Sequence, residues 1–507
     1  MISRKFQFTF LICIPLLWFF FKLLPVYTLP ADCSMPNFIY PENIEHLKIW
    51  CFDKHSDIRF DDSNNFLFIS LMWVGMHFLK LTAIKASLWI SGISVLLTVW
   101  LMQRTVDTRF SSIQLLLVGF VFLSVQVWTG VLGDEILFSG MLWLFVIHAF
   151  WKHRYFGIMV WGTIAIIAQV QNILLVLPLL IASYWDIKQY KERDRKRFWR
   201  RRISETVLFF MLPLGLYYFY RFAYFGKVLP FDWYHHQLES DRKYWIFNVE
   251  AWNVLKHYVR YFILPLVLGI LFYFVKQRKK LNHKYYALFY AMILFPMLYN
   301  LTISQDENLG YKNFYSLYLG LSLLLLLFLR DFRSISMGFF AFIFVFFYGF
   351  KQSFHSFGKA LQSHNQNMYY LSTDLAEIHD GSAIVYYDNF LGWNTDWKIY
   401  FANGKHSKVK EEMTLENMFN SDADMLLLKE PILDYPENKF VGYSIPVNTM
   451  QYVKEAEPEN SLDKFFYKYE HKVPLDTRMI PILLNKRSKR FDAIKKAIEN
   501  RGAVLNN

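Results

Sequence analysis

Apolar residues in this chain are gathered into blocks of roughly 16–22, the length that carries a helix rising 1.5 Å per residue across a hydrocarbon layer of about 30 Å. The first block runs from Phe6 to about Leu29. Further candidate spans fall at 86–102, 113–131, 136–152, 157–170, 172–185, 206–226, 259–276, 285–303, 314–329 and 335–351. Most of the charge lies between these blocks or after Lys351. Of the 507 residues 54% are hydrophobic, with 51 Phe and 32 Tyr, more apolar surface than one soluble core needs. The pattern predicts a polytopic α-helical membrane protein.

A formal net charge of +13 raises nucleic acid as a partner. No basic face interleaved with aromatics occurs outside the apolar blocks, however, and the charge reads as Lys and Arg held on the cytoplasmic side. The sequence opens Met1-Ile2-Ser3-Arg4-Lys5 before its long first block, which ends Leu29-Pro30-Ala31-Asp32. That block is longer than the core of a cleaved signal peptide and has no small-residue cleavage site, so an uncleaved anchor is expected.

Orientation follows from the basic linkers. Lys188 to Arg202 carries nine Lys and Arg (Lys188, Lys191, Arg193, Arg195, Lys196, Arg197, Arg200, Arg201, Arg202) and is expected inside. Lys152-His153-Arg154, the segment Lys276 to Lys284, and Arg330-Asp331-Phe332-Arg333 alternate consistently with it, and counting back puts Arg104 and Arg109 inside too. A fully crossing block at 66–80 would break this parity. The block is short and ends in Lys80 and Lys85, so an interfacial or re-entrant helix is expected there. About eleven spans remain, with a cytoplasmic N-terminus and an outer C-terminal domain. The expected domains are a transmembrane module at 1–351, with outer loops 30–65 and 227–258, and a soluble tail at 352–507. Runs at 382–387, 424–428 and 439–443 read as strands, with helical stretches at 411–420 and 492–500, which suggests a small α/β domain.

Three cysteines occur. Cys13 lies in the first block. Cys33 and Cys51 share the first outer loop and can pair if that loop faces an oxidising compartment, although spacing alone does not fix the geometry.

The polar segments expected outside hold the candidate chemistry. Asp61 and Asp62 precede the 66–80 block. A carboxylate there suits a general base toward a hydroxyl, or a hard-cation ligand; as an acidic helix cap it would have no chemical role. Asp134 and Glu135 stand between two apolar blocks, as a functional pair or as the acidic start of a helix. Gln169, Gln171 and Asn172 suit sugar hydroxyls, or a helix–helix contact. The segment from Tyr220 to Gln237 is the most distinctive. Arg221, Lys227, His235 and His236 suit a phosphate at headgroup level. Trp233 and Tyr234 suit a sugar face or the interfacial aromatic belt. Lys312 is a further outer cation, or a snorkelling lysine.

These features resemble the GT-C superfamily of membrane glycosyltransferases, which use polyprenyl-phosphate sugars. The similarity is to the bacterial branch that carries a Tyr-Phe-Gly-x-x-Leu-Pro-Asn-Thr-Phe-Tyr-Ala-Lys-like motif, a group akin to the mycobacterial cell-wall arabinofuranosyltransferase. Here the motif reads Tyr224-Phe225-Gly226-Lys227-Val228-Leu229-Pro230-Phe231-Asp232-Trp233-Tyr234-His235-His236, with Phe231-Asp232 for the Asn-Thr pair and His236 for the closing Lys. Asp61-Asp62 resemble the acidic pair of the first outer loop, Gly133 to Phe138 resembles a Gly-x-Glu-Thr-x-Leu pattern with Glu135 at the acid, and Lys312 stands where many members have Arg. The Arg-Pro-Glu-Gly turn expected near Gln169 to Ile173 is absent.

The resemblance implies sugar transfer on the outer face of a bacterial cytoplasmic (inner) membrane, from a polyprenyl-phosphate donor to an envelope glycan, lipid or protein. Asp61 or Asp62 would be the catalytic base. Arg221, Lys227, His235, His236 and Lys312 would hold donor phosphate, and Glu135, Gln171, Asn172, Trp233 and Tyr234 would contact substrate. A divalent cation such as Mg or Mn is neither required nor excluded. A transporter would show ionisable residues within its spans, where only His148 stands out. A non-catalytic assembly or anchoring protein, and another enzyme of polyprenyl lipids, are the remaining alternatives.

Overall fold

The computed structural model describes residues 35–51, 65–106, 133, 135–185, 192–229, 283–296, 298, 319–320, 323, 366–385, 390–402, 413–428, 435–446 and 479–505. The chain divides into two units, one of residues 1–28, 63–75 and 85–354 and one of residues 29–62, 76–84 and 355–507. The first block and the candidate spans at 113–131, 259–276 and 335–351 lie outside the described residues, as does nearly all of 314–329.

Nine described helices precede residue 300: α1 (Met35–Leu47), α2 (Phe66–Leu79), α3 (Ala83–Val106), α4 (Ile136–Trp151), α5 (Tyr155–Ala168), α6 (Ile173–Trp185), α7 (Glu192–Thr206), α8 (Leu212–Phe225) and α9 (His283–Phe289). In the first unit α5 is central and packs against α4, α6, α7 and α8. A helix apolar on every side must be covered on every side. Accordingly, α4 buries thirteen of its sixteen residues. The α5–α6 contact is close because Gly162 has no side chain: a Cβ there would come within 2.7 Å of Val176 Cγ1.

Between α7 and α8 the helix widens into a π turn at Val207–Met211. Such a turn disturbs the regular carbonyl ladder. Thr163 on α5 donates its hydroxyl to Phe209 O at 2.9 Å, which satisfies one carbonyl there. The continuous helix Lys196–Phe225 is long and apolar enough to cross a membrane, as is Ala83–Met102. Only 11% of the most apolar stretch of Lys196–Phe225 is buried. Leu208, Met211, Leu216 and Phe219 are all more than half exposed. Four shorter apolar helices accompany them, including Phe66–Leu79, whose 14 residues span about 21 Å.

The ends of the first unit differ in chemistry. At one end, Thr105 of α3 meets His148 of α4, with Oγ1 and Nδ1 3.1 Å apart. The Thr105 hydroxyl already donates to Leu101 O at 2.7 Å, so the imidazole Nδ1 is the donor. Lys284 on α9 donates to Trp151 O at 2.9 Å. The Arg202 guanidinium of α7 lies over the Tyr155 ring, and Tyr184 of α6 bonds Thr206 and stacks on Trp199. The other end brings together the start of α2, the start of α4, the α5–α6 turn and α8.

In the second unit, four further helices, α10 (Gln366–Leu375), α11 (Phe390–Asn394), α12 (Leu415–Asn420) and α13 (Phe491–Asn500), accompany six strands. These are β1 (Ser382–Val385), β2 (Lys398–Phe401), β3 (Met425–Leu427), β4 (Phe440–Pro446), β5 (Met479–Asn485) and β6 (Val504–Leu505). They form one mixed sheet in the order β2-β1-β3-β5-β4-β6. β1 runs parallel to β2 and β3, with Ser382 opposite Lys398 and Ala383 opposite Met425; the other pairings are antiparallel. Strand alternation sends Ile384, Leu426 and Leu483 to one face, where they pack with Met418 of α12 and Phe440. α12 is capped by Thr414, whose Oγ1 accepts from Asn417 N at 3.3 Å. α13 packs on β5, burying Ile494, Ala497 and Ile498. It is tied to α10 by a bidentate pair, Arg501 Nε to Asp374 Oδ2 at 2.6 Å and Nη2 to Oδ1 at 2.7 Å.

α1 belongs to this second unit. Trp393 of α11 donates Nε1 to Glu42 Oε2 at 2.8 Å and packs its ring 5.8 Å from Phe38. Glu45 pairs with His77 at 3.0 Å. Cys51 is buried, and its carbonyl accepts from Asn43 Nδ2 at 3.0 Å. Cys33, and with it the expected Cys33–Cys51 pairing, lies outside the described residues.

Candidate functional site

α2 follows Asp61 and Asp62 after a short polar link, and its first turn is where the candidate segments converge. Phe66 meets Tyr217 of α8 edge-on, with ring centroids 5.4 Å apart. Phe68, on the same turn, lies 6.0 Å from Phe138 of α4. The start of α2 thereby lies between the first turn of α4, which follows Glu135, and the helix bearing Arg221.

Glu135 is 2% exposed and occupies the cap position of α4, its carbonyl accepting from Ser139 N at 2.9 Å. No side-chain capping bond is made, and the carboxylate stands at the positive end of the helix dipole. The turn leading to it holds Gly133 at φ 101°, a conformation that penalises any residue with a Cβ.

Asn172 is 2% exposed. Its Oδ1 accepts from Trp143 Nε1 at 2.5 Å, and its Nδ2 donates to Ala165 O at 2.7 Å. It therefore satisfies a last-turn carbonyl of α5 and joins α4 to the α5–α6 turn, the helix–helix reading of this amide. Ser139 donates to Gln169 Oε1 at 3.2 Å, and Gln169 to Gln171 Oε1 at 3.4 Å. Gln171 is half-buried.

The Tyr-Phe-Gly element acquires a physical reason. Gly226 ends α8 at φ 73°, and its N–H bonds Phe222 O at 2.9 Å, a left-handed helix cap. Arg221 is 1% exposed. Its Nε donates to Val228 O at 3.1 Å and its Nη1 to Tyr217 OH at 3.3 Å, with the guanidinium 5.2 Å from the Phe225 ring. Arg221 thus clamps the turn at 226–228, and Lys227 is exposed on that turn. Tyr217 was not singled out from the sequence, although its place one turn before Arg221 puts both on one helix face. Trp143 was missed as well, since an aromatic in an apolar block carries no mark of its polar partner.

Asp61, Asp62, Asp134, Trp233, Tyr234, His235, His236 and Lys312 lie outside the described residues. Among the described residues no three His, Cys, Asp or Glu side chains come together as a metal site.

Among the described residues of the second unit one carboxylate is well buried. Asp424 accepts from Ser382 N at 2.8 Å, Ser382 Oγ at 2.9 Å and Ser488 Oγ at 2.5 Å, with Arg490 Nη1 3.7 Å away. It sits where β1 and β3 begin, the edge opposite to that where parallel sheets bind ligands. These bonds make it a staple of the sheet.

No family model, curated protein or solved structure matches the chain.

Proposed function

We propose that the chain is a multi-pass membrane glycosyltransferase that moves a sugar from a polyprenyl-phosphate donor to an envelope glycan, lipid or protein on the outer face of the bacterial cytoplasmic membrane. The observation that carries this reading is the convergence at one end of the first unit. The first turn of α2 packs on both the first turn of α4, which follows Glu135, and the Arg221 helix, through Phe68–Phe138 and Phe66–Tyr217. Two segments far apart in sequence, those bearing Glu135 and Arg221, share the start of α2 as a common neighbour. The exposed apolar face of Lys196–Phe225 favours contact with lipid. The basic residues gathered at the opposite end favour a cytoplasmic position for that end.

In this reading Asp61 or Asp62 takes the proton of an acceptor hydroxyl. The resulting oxygen attacks the anomeric carbon as the bond to polyprenyl phosphate breaks, and the phosphate departs with the bonding pair. Lys227, His235, His236 and Lys312 supply positive charge to the leaving phosphate. Arg221 acts one step removed, by fixing the turn that carries Lys227.

The test is sugar transfer by membranes from expressing cells, with a panel of radiolabelled polyprenyl-phosphate sugars, comparing wild type with the Asp61→Asn/Asp62→Asn double variant at equal protein level. Loss of transfer is expected. Transfer that persists removes both aspartates as the base and moves that role to Glu135.

A further inference from the structure

Three basic segments distant in sequence meet where α5 begins. Lys284 Nζ lies 2.6 Å from His153 Nε2, as well as donating to Trp151 O. An ammonium only donates, so Nε2 is the acceptor and the proton of the neutral ring is on Nδ1. That Nδ1 sits 3.1 Å from Tyr155 OH. The Arg202 guanidinium covers the Tyr155 ring. Arg202 and Lys284 are 5% and 6% exposed, whereas His153 and Arg154 are exposed at the rim.

Two observations point from this cluster to a ligand. Nη1 of Arg202 is buried and meets no hydrogen-bond acceptor among the described residues. An unsatisfied buried donor on a charged group is costly, so a site that retains one is suited to an acceptor from outside. The first turn of α5 has no side-chain cap, which leaves backbone N–H groups and the positive dipole end beside the same guanidinium. The neighbouring Glu205 accepts from Arg201 Nε at 2.8 Å.

We propose that Arg202, Lys284, His153 and the first turn of α5 form a binding site for a phosphate-bearing anion. A guanidinium fork, an ammonium and backbone amides approach from different elements, an arrangement suited to several oxygens around one phosphorus. The phosphate of an anionic phospholipid headgroup and that of a small soluble compound share this chemistry. The site lies at the end of the first unit away from the Glu135 and Arg221 turns and is independent of sugar transfer.

Full-length protein purified in an uncharged detergent tests the assignment. One arm titrates sodium phosphate against sodium chloride at constant ionic strength and follows thermal unfolding. The other reconstitutes the protein into phosphatidylcholine vesicles with or without phosphatidylglycerol and counts retained phosphatidylglycerol by native mass spectrometry. Binding of at least one probe is expected, weakened about tenfold or more by Arg202→Gln or Lys284→Gln, and unchanged by Arg200→Gln on the exposed face of α7. Stabilisation by phosphate alone assigns a soluble ligand; retained phosphatidylglycerol alone assigns a headgroup; either supports the site. Arg202→Lys keeps the charge without the fork and serves if Arg202→Gln does not fold. Failure of both probes overturns the proposal. So does binding that the Arg202 and Lys284 variants leave intact, or that Arg200→Gln weakens equally.

Discussion

Gly226 isolates one physical effect. It ends α8 at φ 73°, and a Cβ built on it would meet nothing within 4 Å. Substitution there brings no collision with a neighbour, only the intrinsic cost of a left-handed backbone, about 1–2 kcal/mol for an ordinary L-residue. Asn tolerates this conformation and should cost less than Ala. A β-branched Val should cost most, because its Cγ atoms crowd the backbone. For a unit of about 310 residues, at about 2.1 cal/mol/K of unfolding entropy per residue, 1 kcal/mol corresponds to about 1.5 °C in Tm. Thermal unfolding of the full-length protein in detergent, followed by tryptophan fluorescence, should therefore rank Gly, Asn, Ala, Val from most to least stable, with Gly226→Ala lower than wild type by about 1.5–3 °C. If the proposed activity holds, sugar transfer should fall in the same order, since the cap sets the turn bearing Lys227. Losses that grow smoothly with side-chain volume, with Asn worse than Ala, would mean that space and not dihedral angle governs the position.

Other positions give sharper or simpler readouts. Gly162→Val places a Cβ 2.7 Å from Val176 Cγ1, and overpacking of this kind should cost about 1–3 kcal/mol; unchanged melting would refute the close α5–α6 approach. Trp143→Phe removes the donor to Asn172 Oδ1, with an expected loss of about 1–3 kcal/mol for the stranded buried acceptor, read as a fall in melting temperature; unchanged melting would refute the bond. Arg501→Ala leaves Asp374 without its bidentate partner. Both groups are about 30% exposed, so the loss should stay near 1 kcal/mol and shrink with added salt. Burial pushes the Tyr369 and Tyr443 phenols above the usual value of 10.0. The folded form then holds these protons longer than the unfolded form. Stability from this source is intact below pH 10 and falls as pH rises through the folded values. Unfolding measured from neutral pH to strongly alkaline pH should show a smaller alkaline loss in Tyr369→Phe/Tyr443→Phe.

Local pattern carried much of this fold. Apolar blocks placed α3, α4, α5, α6 and α8 to within a few residues, because a helix apolar all round needs no knowledge of its neighbours to be recognised. The strands at Ser382, Met425 and Phe440 were legible from short apolar runs for the same reason. β2 and β5 were not, since Lys398-Ile-Tyr-Phe is too short to stand out and Pro481 argues against a central strand. β5 tolerates that proline; its neighbours in the register are Ser444 and the β3 side, where Leu428 N reaches Pro481 O at 3.0 Å. At the candidate site Glu135, Asn172 and Arg221 were legible as polar groups flanking apolar blocks. Their partners were not. Tyr217, Trp143 and Phe66 are unremarkable aromatics in a chain that is 20% aromatic, and only tertiary contact distinguishes them.

The contact between α1 and α11 also sets a clock. Trp393 and Glu42 are separated by 351 residues. At about 5–20 residues per second, roughly 20–70 s of synthesis separate the emergence of α1 from that of its partner. Phe38, 1% exposed in the finished fold, spends that interval without the Trp393 ring that packs on it. A ribosome stalled before residue 390 would hold a nascent chain whose earliest folded segment is still adhesive, and holdase binding to it should end only when the C-terminal third arrives.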